Sequence, residues 1–314
     1  MRRRLPASLS RSIVAIAMPA VLALVAGGCA RSDDVEDEGQ PHAELSGVLL
    51  DLQLDEISGL AASHRHDDVL WLHDDGGNPP RLFAVNDRGG RLATFRVEGV
   101  TKTDWEDLAA FEFDGKRYLL IADTGDNGGL RRTLQLHVVE EPATLENARL
   151  QPAWSIAFRW PDGARDCEAV AVDARRGEIL LVSKKRQPPE LFSLPLRPPA
   201  GELLTAQRLG TLSGVPAPDP ERLKRAPRRA RIDSQVTAAS LSPDGRTLAV
   251  MTYRHLLLFP RAEGANWADA VAQAPRVSVL PWLPQAEALG WAADGGSLYA
   301  TGEFIPAPLY RITP

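Results

Sequence analysis

Five times along this chain a short apolar run opened by an acidic or polar residue is followed, after a turn, by a second apolar run. The first runs begin at Glu56-Ile57-Ser58-Gly59-Leu60, Glu106-Asp107-Leu108, Glu168-Ala169-Val170, Thr237-Ala238-Ala239 and Glu287-Ala288-Leu289. The second runs cover residues 69–74, 118–123, 179–184, 248–253 and 298–302. Third strands fit at 82–85, 191–194 and 309–312, and fourth strands at 92–97, 153–160, 207–212 and 276–282. Four-stranded units recurring every 50 to 69 residues predict an all-β fold, a β-propeller of five blades, because each unit buries its faces only against its neighbours. The last unit stops after its third strand, while an unassigned strand at 45–52 precedes the first. That N-terminal strand would complete the last blade and close the ring without an exposed edge. Six blades stay open as an alternative if the long segments at 140–165 or 211–235 hide another unit.

The chain before the repeats reads as an address. Arg2-Arg3-Arg4 and Arg11 form a basic region, and residues 13–26 are an apolar stretch short for a bilayer span. The run Val25-Ala26-Gly27-Gly28-Cys29 resembles the lipobox of bacterial lipoproteins, which implies cleavage before Cys29 and lipidation of that residue. Residues 29–44 are polar and acidic without apolar periodicity, as a disordered tether would be. The expected organisation is therefore a signal peptide at 1–28, a tether at 29–44 and a propeller domain at 45–314. Such a protein would face the periplasm from the cell envelope. Ala30 follows the cysteine, where an Asp often signals the inner membrane, so the outer membrane is the expected address. Loss of residues 1–28 removes four arginines and no acid, leaving 32 basic against 41 acidic residues, a charge of −9. This speaks against a nucleic-acid partner. Cys167 alone remains beside Cys29, so an exported monomer would rely on its core rather than on an internal disulfide.

The densest chemistry lies in residues 104–127. Asp104-Trp105-Glu106-Asp107 opens one strand, Asp114-Gly115 turns the chain, and the return strand ends in Asp123-Thr124-Gly125-Asp126-Asn127. A hairpin of this kind would bring Glu106, Asp107, Asp123 and Asp126 to one rim, where carboxylates repel unless a cation or a basic group neutralises them. Calcium takes six to eight oxygen ligands from carboxylates, amides and carbonyls, so Asp104, Glu106, Asp123 and Asp126 are the candidate metal ligands. Aligning the blades by their Asp-Gly turns places Glu56, Glu106, Glu168, Thr237 and Glu287 at equivalent positions around the tunnel mouth. The ends of the second strands add Asp74, Asp123, Lys184, Tyr253 and Glu303, with Arg254 next to them. Glu56, Asp74, Glu168, Lys184, Arg254, Glu287 and Glu303 are thus the candidate ligand-binding residues. The alternative is that the inner-strand glutamates bond backbone N–H groups of neighbouring blades and hold the ring together.

The segments Glu56-Ile57-Ser58-Gly59-Leu60, Asp104-Trp105-Glu106-Asp107, Asp123-Thr124-Gly125-Asp126-Asn127 and Glu141-Pro142 resemble, over most of residues 45–314, a group of bacterial propellers within the broad phytase-like and gluconolactonase-like assemblage. The resemblance implies calcium held by acidic residues at one mouth of the tunnel. The phytase signatures for calcium and phosphate are not recognisable in this chain.

Basic residues gather at Lys184-Lys185-Arg186, at Arg131-Arg132, and in an insert carrying Arg222, Lys224, Arg225, Arg228, Arg229 and Arg231. Blade connections emerge at the same end as the acids, so the insert should overhang the site as an anion-facing lid or else be a solvated loop. His73 is a candidate acid or base, and Cys167 reads as a buried inert thiol. No nucleophile elbow, zinc helix or phosphate loop is present. The expected function is binding of a small molecule or protein partner at the acidic mouth. The alternatives are a calcium-assisted hydrolase of a phosphate ester or lactone and a structural envelope protein.

Overall fold

The turn at Asp114-Gly115 shows how local chemistry builds the sheets. Both residues have positive φ, 50° and 73°, the conformation of two-residue hairpin turns that match the twist of the flanking strands. The computed structural model describes residues 41–314. The signal segment, Cys29 and the first part of the expected tether lie outside the described residues. In chain order the strands are β1 (His42–Leu49), β2 (Ile57–Ala62), β3 (Val69–Asp74), β4 (Arg81–Asn86), β5 (Arg91–Val97), β6 (Trp105–Phe113), β7 (Lys116–Asp123) and β8 (Leu134–Glu140). They continue with β9 (Ala148–Leu150), β10 (Pro152–Arg159), β11 (Cys167–Asp173), β12 (Glu178–Ser183), β13 (Glu190–Pro195), β14 (Leu203–Thr205) and β15 (Gln207–Thr211). Helices α1 (Pro220–Arg225) and α2 (Pro227–Ile232) come next, then β16 (Val236–Leu241), β17 (Thr247–Thr252) and β18 (His255–Pro260). The chain ends with α3 (Trp267–Ala272), β19 (Arg276–Val279), β20 (Ala286–Trp291), β21 (Leu298–Gly302) and β22 (Ala307–Thr313).

These elements form a five-bladed propeller of antiparallel four-stranded blades. Blade one is β2–β5, blade two is β6, β7, β8 and β10, blade three is β11, β12, β13 and β15, and blade four is β16–β19. Blade five runs β20, β21, β22 and then β1, so the N-terminal strand closes the ring. Its bounds differ from the expected 45–52: pairing begins with His42 opposite Thr313 and ends with Leu49 opposite Ala307. Three residues assigned to the tether therefore belong to the blade. Two short strands were not foreseen. β9 runs parallel to β5 and β14 parallel to β10, so each leaves its own blade to extend the preceding one.

The core is five apolar layers, one between each pair of blades. Trp71, Phe95, Trp105 and Leu119 fill the layer between blades one and two, and Phe158, Trp160, Val170 and Phe192 the next. Phe259 and Trp267 occupy the layer between blades three and four, Met251 and Leu289 the one after, and Leu60, Phe83 and Leu309 the layer that closes the ring. Strands buried on both faces read as continuous apolar runs, as β3 and β17 do. Among the described residues no helix is long and apolar enough to cross a membrane.

Candidate metal centre at the tunnel mouth

A β-bulge interrupts the innermost strand of every blade. It falls between Ile57 and Gly59, Trp105 and Asp107, Cys167 and Ala169, Val236 and Ala238, and Ala286 and Ala288. Bulges re-aim side chains, and the five bulged residues, Ser58, Glu106, Glu168, Thr237 and Glu287, are the true equivalents. Glu56 belongs two residues further out, level with Asp104, Asp166, Gln235 and Gln285. It is exposed, at a φ of 61°, and Asn78 Nδ2 lies 3.5 Å from its carboxylate. The register also sorts the second-strand ends into two tiers. Asp74, Asp123, Ser183, Thr252 and Gly302 are the last paired residues, and Asp75, Thr124, Lys184, Tyr253 and Glu303 follow them at the mouth.

A circuit of contacts runs round this mouth. Carboxylate oxygens of Asp75, Asp104 and Glu106 lie within 4.8 Å of one another, and so do those of Glu106, Asp166 and Glu168. Lys184 bonds Glu168 and sits 5.3 Å from the centre of the Tyr253 ring, while Tyr253 Oη donates to Glu287 at 2.8 Å. Lys185 approaches Asp166 at 2.9 Å and Asn127 Oδ1 at 2.7 Å. The second trio thus carries its own cations. Among the described residues, Asp75, Asp104 and Glu106 have no ion-pair partner; Glu106 accepts only from Ser58 Oγ, at 3.3 Å. Two glycines make room for them. A Cβ on Gly76 would stand 2.6 Å from Asp104 Oδ1, and one on Gly125 would collide with Glu106 and Asp104.

Charge is held reluctantly here. Burial and then the neighbouring Asp75 push Asp104 up to about 7. Burial, followed by Glu168, Asp75 and Asp104, drives Glu106 well above the usual carboxylate range. Glu303 is pushed up to about 8 by burial and by Glu287, and Glu287 is raised mainly by burial. Burial works against the Lys184 ammonium, but Glu168 and Tyr253 outweigh it and keep the group charged. An uncompensated all-oxygen trio is the donor chemistry of hard divalent cations, so these acids could hold a metal ion.

The expected ligand set is only half assembled. Asp104 and Glu106 meet, joined by Asp75, whereas Asp123 and Asp126 are turned to the backbone. Asp123 accepts from the Thr103 and Asp104 amides at 2.8 and 3.1 Å and pairs with Arg131 at 2.6 Å. Asp126 accepts from the Leu130 and Arg131 amides at 2.8 and 3.0 Å. Asp107 is not a rim acid either. It is fully buried one level down the tunnel and accepts from the amides of Leu108, Val170 and Ala239 at 2.8, 2.7 and 3.1 Å. Three blades are tied by that one carboxylate. Asp74 lies off the axis, 3.3 Å from Arg81, with burial pushing it up to about 7. Asp75 was not among the expected residues: it holds the first position beyond β3, where blade two has Thr124, so comparison of the two loops gives no sign of it.

The remaining candidates are structural or peripheral. His73 is fully buried between the Asp74 and Asp107 carbonyls, and burial lowers it to about 4, which suits a neutral packing residue. Burial drives the Cys167 thiol far above its usual range. Glu141 takes the Trp71 indole at 2.8 Å and the Ser63 hydroxyl, linking blades one and two. The basic insert is folded: Asp219 caps α1, and Arg222 clasps Asp233 at 2.7 and 3.1 Å. Arg222 and Arg229 share a cavity with Tyr253 and Arg254, so the insert stands beside the mouth.

No family model and no curated protein sequence matches this chain. Among solved structures it is similar to a luciferin-regenerating enzyme, at 10% identity and a TM-score of 0.42, over 87% of this chain and 95% of that one. It is also similar to U3-55K, at 12% identity and a TM-score of 0.37, over 82% of this chain and 68% of that one.

Proposed function

We propose that this protein is a lipid-tethered propeller of the bacterial cell envelope that binds a ligand or partner through a calcium ion at the tunnel mouth. Asp75, Asp104 and Glu106 would hold the ion. The observation that carries this reading is the contrast between the two acidic trios. Asp166 and Glu168 have lysines of their own, while the trio cradled by Gly76 and Gly125 has none among the described residues. The tether rests on the leader and on Cys29, and with them the periplasm-facing, outer-membrane address. A monomer fits a ring already closed by its own first strand.

Calcium should stabilise the purified protein by mass action, by about 2.7 kcal/mol at a hundredfold excess over its dissociation constant. Calorimetric melting with chelator and with calcium measures this. Asp104→Asn with Glu106→Gln should abolish the rise and leave the chelated protein at least as stable as the parent, because two crowded charges are removed. A parent that melts identically with and without calcium would overturn the cation site.

Calcium-assisted hydrolysis of a phosphate ester or lactone is a second reading, favoured by Arg254 and Tyr253 on the rim beside the acids. The ion would polarise the substrate oxygen or activate water. A panel of such esters, assayed with calcium and with chelator, distinguishes a hydrolase from a binding protein.

A further inference from the structure

The tier just beyond the mouth is uneven. Counting one residue past Asp75, Thr124, Lys184, Tyr253 and Glu303 gives Gly76, Gly125, Lys185, Arg254 and Phe304. Over blades one and two the tier is glycine beside acids. Over blades four and five it is a guanidinium and an aromatic ring. Behind Arg254 and Phe304 lies a cavity of about 440 Å³ that also takes in Arg229, Tyr253, Trp282 and Gln285, within the size range of small-molecule sites. Trp282 is 75% exposed and Phe304 45% exposed. Large aromatic side chains left open around a concave site mark binding surface rather than core.

The charges in this cavity are equally unspent. Arg222 is committed to Asp233, but among the described residues Arg229 and Arg254 have no carboxylate within ion-pair distance. The one acid among the cavity's lining residues, Asp233, is the one held by Arg222; of the rim acids beyond it, Glu287 accepts the Tyr253 hydroxyl and Glu303 accepts from Gln285. We infer that this cavity binds a small organic anion carrying a planar aromatic group, with the anion on Arg254 and Arg229 and the ring against Trp282 and Phe304. Guanidinium groups grip carboxylates and phosphates through paired N–H donors, and exposed aromatic faces stack on a planar ring. This inference goes beyond the cation reading and does not depend on it.

Titration calorimetry with phenyl phosphate, run in chelator so that no metal contributes, is the test. Inorganic phosphate, benzyl alcohol and benzylamine serve as the anion, ring and opposite-charge controls. Phenyl phosphate should bind at least about tenfold more tightly than each of the three, since it alone combines a charge-assisted pair with a buried, stacked ring, each worth about that factor. Arg254→Gln and Trp282→Ala should each weaken it about tenfold. Neither side chain makes an ion pair among the described residues and Trp282 is largely exposed, so the melting temperature should stay at the parent's value. Binding no tighter than inorganic phosphate, binding unchanged in both variants, or no binding at all would overturn the inference. A cation site that fails while phenyl phosphate still binds would leave this inference standing.

Discussion

At the residue scale, Asp107 is the side chain on which the ring leans hardest. Its carboxylate is buried without a counter-ion and satisfies amides from blades two, three and four. Removing a buried acceptor leaves each donor unsatisfied at about 1–3 kcal/mol, so Asp107→Ala should cost at least about 3 kcal/mol in urea unfolding. Asp107→Asn, which keeps one acceptor oxygen but turns an amino group towards the donors, should fall between. An alanine variant as stable as the parent would show that these bonds are not holding the blades. The ring-holding role expected of the inner-strand glutamates is thus filled by Asp107, one residue beyond Glu106, which itself accepts from no backbone amide among the described residues. Reading the strand as a plain alternation put Asp107 at the rim with its neighbour. The bulge, which brings two consecutive residues to the axis, carries no signal in hydrophobic pattern. The same blindness displaced Glu56. A two-residue offset leaves period-two alternation intact, so apolar spacing cannot distinguish Glu56 from Ser58 as the partner of Glu106. Blade one also lacks the Asp-Gly turn that blades two, four and five share, its loop running through His64-Arg65-His66.

At the scale of elements, strand count and order were legible because a propeller repeats its pattern, and each copy corrects the reading of the others. The three-residue strands β9 and β14 were not, since runs that short carry no periodicity and owe their pairing to the neighbouring blade. The closing strand was legible by elimination. β1 buries Leu49 in the layer between blades five and one. The Ser46 hydroxyl bonds the Asp87 carbonyl at 2.6 Å and the Val48 amide bonds the Arg88 carbonyl at 3.3 Å, so the strand also staples blade five to blade one. Deleting residues 42–49 removes a full ladder with β22, that staple and part of an apolar layer. The loss of stability should far exceed the roughly 0.5 kcal/mol of an ordinary surface change, with the upper strand of blade five exposed as an edge. A deletion variant that keeps the parent's melting temperature would mean the ring does not depend on this closure.

For the molecule as a whole, the acidic mouth makes stability a function of pH, with a sign opposite to that of an ion-paired carboxylate. Asp104 is raised to about 7, Glu303 to about 8, and Glu106 and Glu287 above their ordinary values, burial leading in each case. A carboxyl whose folded pKa lies above its unfolded value binds its proton more tightly in the native state. Its contribution is therefore complete below the unfolded value of roughly 4 and is lost as pH climbs through the folded value. In chelator the protein should accordingly melt at a lower temperature at about pH 9 than at about pH 5. Calcium should reverse this trend, because ligand carboxylates must shed their protons to bind it and the ion's stabilisation grows as they do. The calcium-induced rise in melting temperature should thus be small at the acidic end and largest at the alkaline end. Asp104→Asn with Glu106→Gln should flatten both slopes together. A melting temperature in chelator that rises between the two pH values would refute the crowded-carboxylate account of the mouth. A calcium effect of equal size at both ends would refute the role of Asp104 and Glu106 as its ligands.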